Sequence, residues 1–351
     1  MRVLVLMAAV LTVVTGCTKS PTVSTGMLGN AKYAIASPAR WNGNLLLVAP
    51  GYTMADAPLS ADVDTNATPY KQLIEEGWIV AATSYRRNGM VIRDGSQDVD
   101  LLRRHIAEQF GQPRRTFVIG RSMGGAVATI IAETGGNNYH GILAIGAALE
   151  LRDKTDPYQM TNQPQVPILF LVNQNEMKDS SDYVRQAISY AKPSAVWVVK
   201  RDGHCKVNGA EVRQALDALL TCDRTGNLER DRDATITIEG QPSIAAFRDG
   251  RAYAKVTHIT GGFGNIPTEF VQADMERLGI QPGSHFTVGR ADKEFRVFYG
   301  KQYADVPKGE WVAFITADGA LLIARNLDNA AKALGCQGQE ELYIARMPRK
   351  Q

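Results

Sequence analysis

"FVIGRSMGG", residues 117–125, sets one serine between an apolar run and a cluster of glycines. The residues leading into it, Arg115 to Ile119, are β-branched and aromatic and read as a buried strand ending at Gly120. The residues after it, "GAVATIIAET", read as an apolar helix stopped by Gly135 and Gly136. Ser122 therefore falls on the hinge between strand and helix. A turn that sharp strains the serine backbone and brings neighbouring turns of chain close together. Small residues two before and two after it, Gly120 and Gly124, relieve the clash. G-x-S-x-G alone is a weak pattern. Between a strand and a helix it predicts a serine hydroxyl exposed at a strand's carboxyl end.

Outward from this stretch, strands and helices alternate. "AKYAIASP" reads as an early antiparallel strand. "NLLLVAPG", "WIVAATSY", "GILAIGAA", "VPILFLVNQ" and "SAVWVVKRDG" read as buried strands. "PYKQLIEEG", "SQDVDLLRRHIAEQFG", "SDYVRQAISYA" and "AEVRQALDALL" read as helices, the second with a serine cap and a glycine stop. Continuous apolar strands separated by helices predict an α/β domain with a mostly parallel sheet covered on both faces.

Over residues 31–222 the chain resembles the α/β-hydrolase family, carried by "APGY", "GRSMGG" and "DGH" in that order. The resemblance implies a serine nucleophile, a carboxylate and a histidine, in that chain order. A serine hydroxyl needs a base, and the base needs an orienting acid. Of five histidines, His105 lies inside an amphipathic helix and His140 precedes a strand. His258 and His285 fall in a later domain. His204 alone follows a strand of the same sheet, where open α/β sheets carry their active groups. For the acid, Glu176 stands where the family places it, a few residues past the penultimate strand. Asp179 is the alternative, with Asp153 and Asp156 behind it. The oxyanion donors implied are the backbone N–H groups of Met123 and Tyr52, with both side chains expected to line the acyl pocket. Tyr85 and Arg86 are expected near the same mouth. Only "LELRDKTDPYQMTNQPQ" separates two strands where relatives insert a helical lid. An open, shallow site for exposed or bulky esters is therefore expected. The reaction needs neither metal nor organic cofactor.

The chain has 351 residues, enough for two domains, with 39 basic and 36 acidic residues and a net charge of +3. That excess, with no basic stripe, excludes a nucleic-acid partner. "MRVLVLMAAVLTVVTGC" has one arginine, then an apolar run too short to span a bilayer, then small residues. It reads as an export signal (1–17) ending in a lipobox, with Cys17 as the lipidated residue. The mature protein is then expected to be anchored to a bacterial envelope membrane through lipid. Residues 18–30 read as a polar linker. Cys205 and Cys222 flank a helix that holds them on the order of 20 Å apart. A disulfide needs Cα atoms within about 7 Å, so none is predicted between them.

After a charged linker, residues 223–233, short strands with glycine turns predict a β-rich barrel or sandwich over 234–351, beginning with "ATITI". Residues 252–347 resemble the C-terminal β-domain of the SAM hydroxide adenosyltransferase and fluorinase-like family. The resemblance is carried by "FGNIPTEF", "YADVPKGEWVAFITADGALLIARNLDNAAKALG" and "ELYIAR". It implies an adenosyl pocket, with Asn265, Asn326 and Asn329 as candidate contacts, and a capacity to oligomerise. That family's catalytic domain is replaced here, so its activity does not transfer. Three readings follow: a serine ester hydrolase, with an aminopeptidase-like amidase beside it; an envelope protein binding a nucleoside; and a hydrolase fold retained as a scaffold.

Overall fold

The computed structural model describes residues 21–151, 154, 157–187, 192–259 and 263–347. The first domain is built on β1 (Thr22–Leu28), β2 (Ala31–Ser37), β3 (Asn44–Ala49), β4 (Ile79–Thr83), β5 (Arg115–Arg121), β6 (Gly141–Ile145), β7 (Ile168–Asn173), β8 (Ser194–Val199) and β9 (Asp231–Asp233). Its helices are α1 (Tyr70–Glu75), α2 (Arg93–Phe110), α3 (Met123–Thr134), α4 (Lys178–Ala187) and α5 (Gly209–Thr225). The sheet order is β1-β2-β4-β3-β5-β6-β7-β8-β9, with β1 and β2 antiparallel and the rest parallel.

Side chains two apart on a strand share a face, and the leucines of β3 show it. Leu45 and Leu47 pack with α2, α3 and α4. Leu46 packs on the other face with α1 and α5. Both faces are apolar and covered, so the strands carry no polar alternation. The sheet is mostly parallel with a mixed strand order, which reverses where β3 meets β5. Ligands of open sheets settle at such a crevice, at the strands' carboxyl ends.

Two expected linkers belong in part to this sheet. Residues 22–28 form β1, paired along its whole length with β2. Residues 231–233 form β9 beside β8, and α5 continues to Thr225. Both are short, polar edge strands whose pairing comes from the neighbouring strand rather than from a pattern of their own. Ser96 is not the cap of α2. That helix begins at Arg93, and the Ser96 hydroxyl donates to the Arg93 carbonyl within its first turn.

The second domain contains β10 (Ala246–Arg248), β11 (Arg251–Lys255), β12 (Ile266–Val271), α6 (Gln272–Arg277), β13 (His285–Arg290), β14 (Lys293–Tyr299), β15 (Trp311–Ile315), β16 (Ala320–Arg325), α7 (Ala330–Leu334) and β17 (Glu341–Arg346). They form one sheet, β10-β11-β17-β13-β14-β15-β16-β12. A bridge between Val256 and Thr268 draws the β12 edge back toward β11, so the sheet curls into a partial barrel rather than a sandwich. Phe270, Phe286, Val288 and Ile344 fill its interior. "ATITI" is not a strand; it runs as irregular chain from β9.

Candidate active site

Ser122 has φ 55° and ψ −120°, a conformation that L-residues adopt only under strain. The neighbouring chain leaves no room to relax it. A β-carbon at Gly120 would lie 2.0 Å from the Gly124 carbonyl oxygen, and one at Gly124 would lie 2.1 Å from the Ala49 oxygen. Larger residues at either position would force the turn open. The bend is further fixed by the Ser122 N–H, which donates to the Ile145 carbonyl at 2.9 Å.

His204 sits in the loop after β8, and the residues after β7 clamp that loop. Asn173 is fully buried at the end of β7. Its amide donates to the carbonyls of Arg201 (2.9 Å) and Lys206 (3.0 Å), and its Oδ1 accepts the Lys206 N–H (2.7 Å). The Gly203 N–H donates to Asn175 Oδ1 at 2.9 Å. From underneath, Arg201 pairs with the buried Glu211 at 3.0 Å. The loop thus presents His204 toward the serine: Nε2 is 2.8 Å from Ser122 Oγ, and Nδ1 is 2.6 Å from Glu176 Oε2. The second oxygen of Glu176 accepts from the Cys205 N–H (3.1 Å) and the Asn173 N–H (3.3 Å). The carboxylate is locked in orientation by groups on both loops.

Sequence reasoning missed two residues here. Asn173 lies inside an apolar run and looked like a strand's end. Cys205 follows the histidine directly, and that adjacency was the available signal. Its Sγ lies 3.7 Å from His204 Nε2 and donates to the Ile145 carbonyl at 3.3 Å. The Cys205 sulfur and the Glu176 carboxylate together raise His204 from its ordinary range to about 10, against burial, which lowers it. Glu176, His204 and Cys205 also form the one cluster among the described residues compact enough to chelate an ion, their ligand atoms within 4.8 Å of one another. An ion on Nε2 would displace the serine.

The loop after β3 runs against the elbow. A β-carbon at Gly51 would lie 3.8 Å from Ser122 Cβ, and the Tyr85 hydroxyl donates to the Pro50 carbonyl at 2.9 Å. Met123 opens α3, so its N–H has no acceptor within the helix. The expected side-chain roles of this region are corrected. Met123 is 1% exposed and its sulfur accepts the Val91 N–H. Tyr52 is 40% exposed and faces Phe263 of the second domain. Tyr85 is buried beneath the loop, and Arg86 is held by Asp94 and Asp98.

The site is less shallow than expected, though His204 stays exposed. A cavity of about 480 Å³ borders Ser122 and His204, and its far wall comes from the second domain through Tyr303, Phe314 and Leu322. The Gly209 N–H at the start of α5 donates to Asp318 Oδ1 at 2.9 Å. His258 Nε2 meets Asp64 Oδ2 at 2.8 Å across the same contact.

The remaining candidates lie elsewhere. Asp179 is in the first turn of α4, 4.0 Å from Lys178, and makes no contact with His204. Asp153, Asp156 and Cys17 lie outside the described residues. His140 Nδ1 accepts the Thr116 N–H at the opposite edge of the sheet, His105 packs on Tyr33, and His285 meets Arg296. Cys205, Cys222 and Cys336 are free thiols. In the barrel, Asn329 caps α7 by accepting the Lys332 N–H, and Asn326 donates to the Val306 carbonyl. The Asn265 amide donates to the Tyr303 hydroxyl at 3.1 Å, supporting the cavity wall. No helix among the described residues is long and apolar enough to cross a membrane.

Residues 254–343 match the family model of the SAM hydroxide adenosyltransferase C-terminal domain. No curated protein matches the chain. Among solved structures, an uncharacterized conserved protein from Thermotoga maritima is 24% identical over 36% of this chain and 49% of its own, with a TM-score of 0.28. Porphyromonas gingivalis dipeptidyl peptidase 4 is 15% identical over 60% of this chain and 36% of its own, with a TM-score of 0.42. A Pyrococcus furiosus esterase is 11% identical over 58% of this chain and 92% of its own, with a TM-score of 0.44. The chain thus spans less than half the length of the first two.

Proposed function

We propose that the protein is a serine hydrolase that cleaves carboxylic esters through an acyl-enzyme. The reading is carried by one observation, the unbroken run of hydrogen bonds from Ser122 Oγ through His204 to Glu176. Ser122 Oγ attacks the ester carbonyl while His204 Nε2 takes its proton. Glu176 holds the ring's tautomer and balances the imidazolium. The Met123 N–H and the Tyr52 N–H receive the charge on the carbonyl oxygen. His204 then returns the proton to the leaving alcohol, and a water, deprotonated by the same imidazole, releases the acid. The strained turn supports this role, since it keeps the hydroxyl clear of the helix it opens.

A fluorophosphonate probe tests the reading. Wild type is expected to label at Ser122, and Ser122→Ala not at all. Equal labelling of both would remove the nucleophile. A p-nitrophenyl ester panel run beside aminoacyl anilides then decides ester against amide. The amino-terminal segment adds a location: acylation of Cys17 would hold the enzyme at an envelope membrane. Radiolabelled palmitate entering wild type but not Cys17→Ser checks it.

A further inference from the structure

The cavity wall carries more positive charge than the reaction on a neutral ester requires. Arg121 and Lys206 reach it from the first domain and Lys301 from the second. Among the described residues none of the three is ion-paired. Arg121 donates to the Cys205 carbonyl at 3.3 Å, a neutral acceptor. The carboxylate in the wall, Asp318, accepts the Gly209 N–H. Asp305, close to Lys206, accepts the N–H groups of Lys301 and Gln302. The same wall includes the apolar side chains of Val207, Phe314 and Leu322 beside Gln302, Tyr303 and Thr316.

Like charges gathered against an apolar wall repel one another and lose hydration. Lys206 registers both effects: burial, then Arg201 and Lys301, pull its pKa below the ordinary lysine value. An anion placed among these groups would relieve that repulsion with charge-assisted hydrogen bonds. The volume, about 480 Å³, is that of a small-molecule site.

We propose that the cavity takes esters bearing a second, anionic group, with the scissile carbonyl at Ser122, an apolar segment on Phe314 and Leu322, and a terminal carboxylate between Lys206 and Lys301. The barrel thereby supplies half of the anion site, and substrate selection belongs to both domains. This rests on the hydrolase reading of Ser122.

The test pairs two esters of similar length on the full chain: the p-nitrophenyl half-ester of glutarate and uncharged p-nitrophenyl valerate. Wild type is expected to favour the half-ester in kcat/KM by about tenfold or more, the scale of one hydrogen bond to a charged group. The ratio should fall toward one in Lys206→Met and in Lys301→Met, and with salt raised to about 0.5 M. The two variants lie in different domains, so misfolding of one leaves the other to decide. Valerate turned over as well as the half-ester overturns the proposal and leaves the hydrolase reading standing. Calorimetry of monomethyl glutarate on Ser122→Ala reads the anion site without turnover. If neither ester is cleaved but binding is seen and weakens in Ser122→Ala/Lys206→Met, the hydrolase reading fails and the anion site remains. No turnover and no binding removes both.

Discussion

Two loops meet at the cavity, one from each domain, and they are held by opposite means. The loop carrying His204 is bound almost wholly from within its own sheet: Asn173 and Asn175 fix its backbone, and Glu211 fixes Arg201. The barrel segment carrying Lys301 and Tyr303 closes the other side, in a domain joined to the first by a few polar contacts, Gly209 to Asp318 and His258 to Asp64 among them. The first arrangement is what proton transfer requires, since a displacement of about 1 Å can cost a hundredfold in rate. The second is what selection tolerates, since a wall can shift and still exclude or attract. The barrel, whose residues 254–343 match the SAM hydroxide adenosyltransferase C-terminal domain, contributes residues to the wall of this cavity.

The comparison breaks first at the acid. Glu176→Gln keeps the shape but loses the charge and the tautomer control, and kcat is expected to fall by about 10⁴. Asp179→Asn, three residues on and outside the hydrogen-bond chain, should stay within about twofold of wild type. Steady-state kinetics on one ester separates the two, and equal losses would mean that the carboxylate is wrongly assigned. Asn173→Ala is expected next in size. It removes three hydrogen bonds to a buried amide at about 1 kcal/mol each, leaving the Arg201 carbonyl and the Lys206 N–H without these partners while the Lys206 carbonyl keeps Arg201 Nη1. Urea unfolding should show a loss of about 3 kcal/mol, with kcat falling because His204 is no longer held. A stability loss with unchanged kcat would show that the clamp does not position the base.

How much of this the sequence disclosed follows from the range of each interaction. The elbow at 120–124 was legible because its constraint is steric and local. His204 was legible by elimination among five histidines. Glu176 was preferred to Asp179 by its position after the strand, but what holds its carboxylate, a pair of N–H groups from Asn173 and Cys205, the latter 29 residues on, was not legible. The depth of the cavity was not legible at all. It depends on contacts such as Gly209 to Asp318, 109 residues apart, for which neither segment carries a pattern. The edge strands at 22–28 and 231–233 escaped for the same reason, since their partners define them.

The junction between the domains should respond to pH. His258 is raised by its hydrogen bond to Asp64 against burial, and Asp64, though burial pushes it up, is lowered on balance by His258 and by the Asn66 and Ala67 N–H groups. The raised histidine gives its full contribution below its unfolded value and loses it as pH climbs through its folded one. The lowered carboxylate contributes above its unfolded value and loses it as pH falls through its folded one. The contact is therefore strongest in mildly acidic solution and weakens in both directions. As a partly exposed pair it is worth about 1 kcal/mol or less. Melting curves across pH should show this dome, and Asp64→Asn should flatten it; a dome unchanged in the variant would place its origin elsewhere.

The smallest expected effect sharpens the tighter half of the comparison. Only the neutral imidazole can take the serine proton, so turnover rises with pH through the His204 pKa. The hydrogen-bonded Cys205 sulfur, then Glu176, push that value up to about 10 against burial. Activity should therefore keep climbing well above pH 6.5, the ordinary histidine range. Cys205→Ala removes the acceptor 3.7 Å from Nε2 and leaves the Glu176 contact in place. The acid limb of kcat/KM should move to lower pH, while the alkaline plateau changes by no more than a few-fold. A limb that stays where it was would assign the whole upward shift to Glu176, making the thiol a packing group beside a base that the carboxylate alone controls.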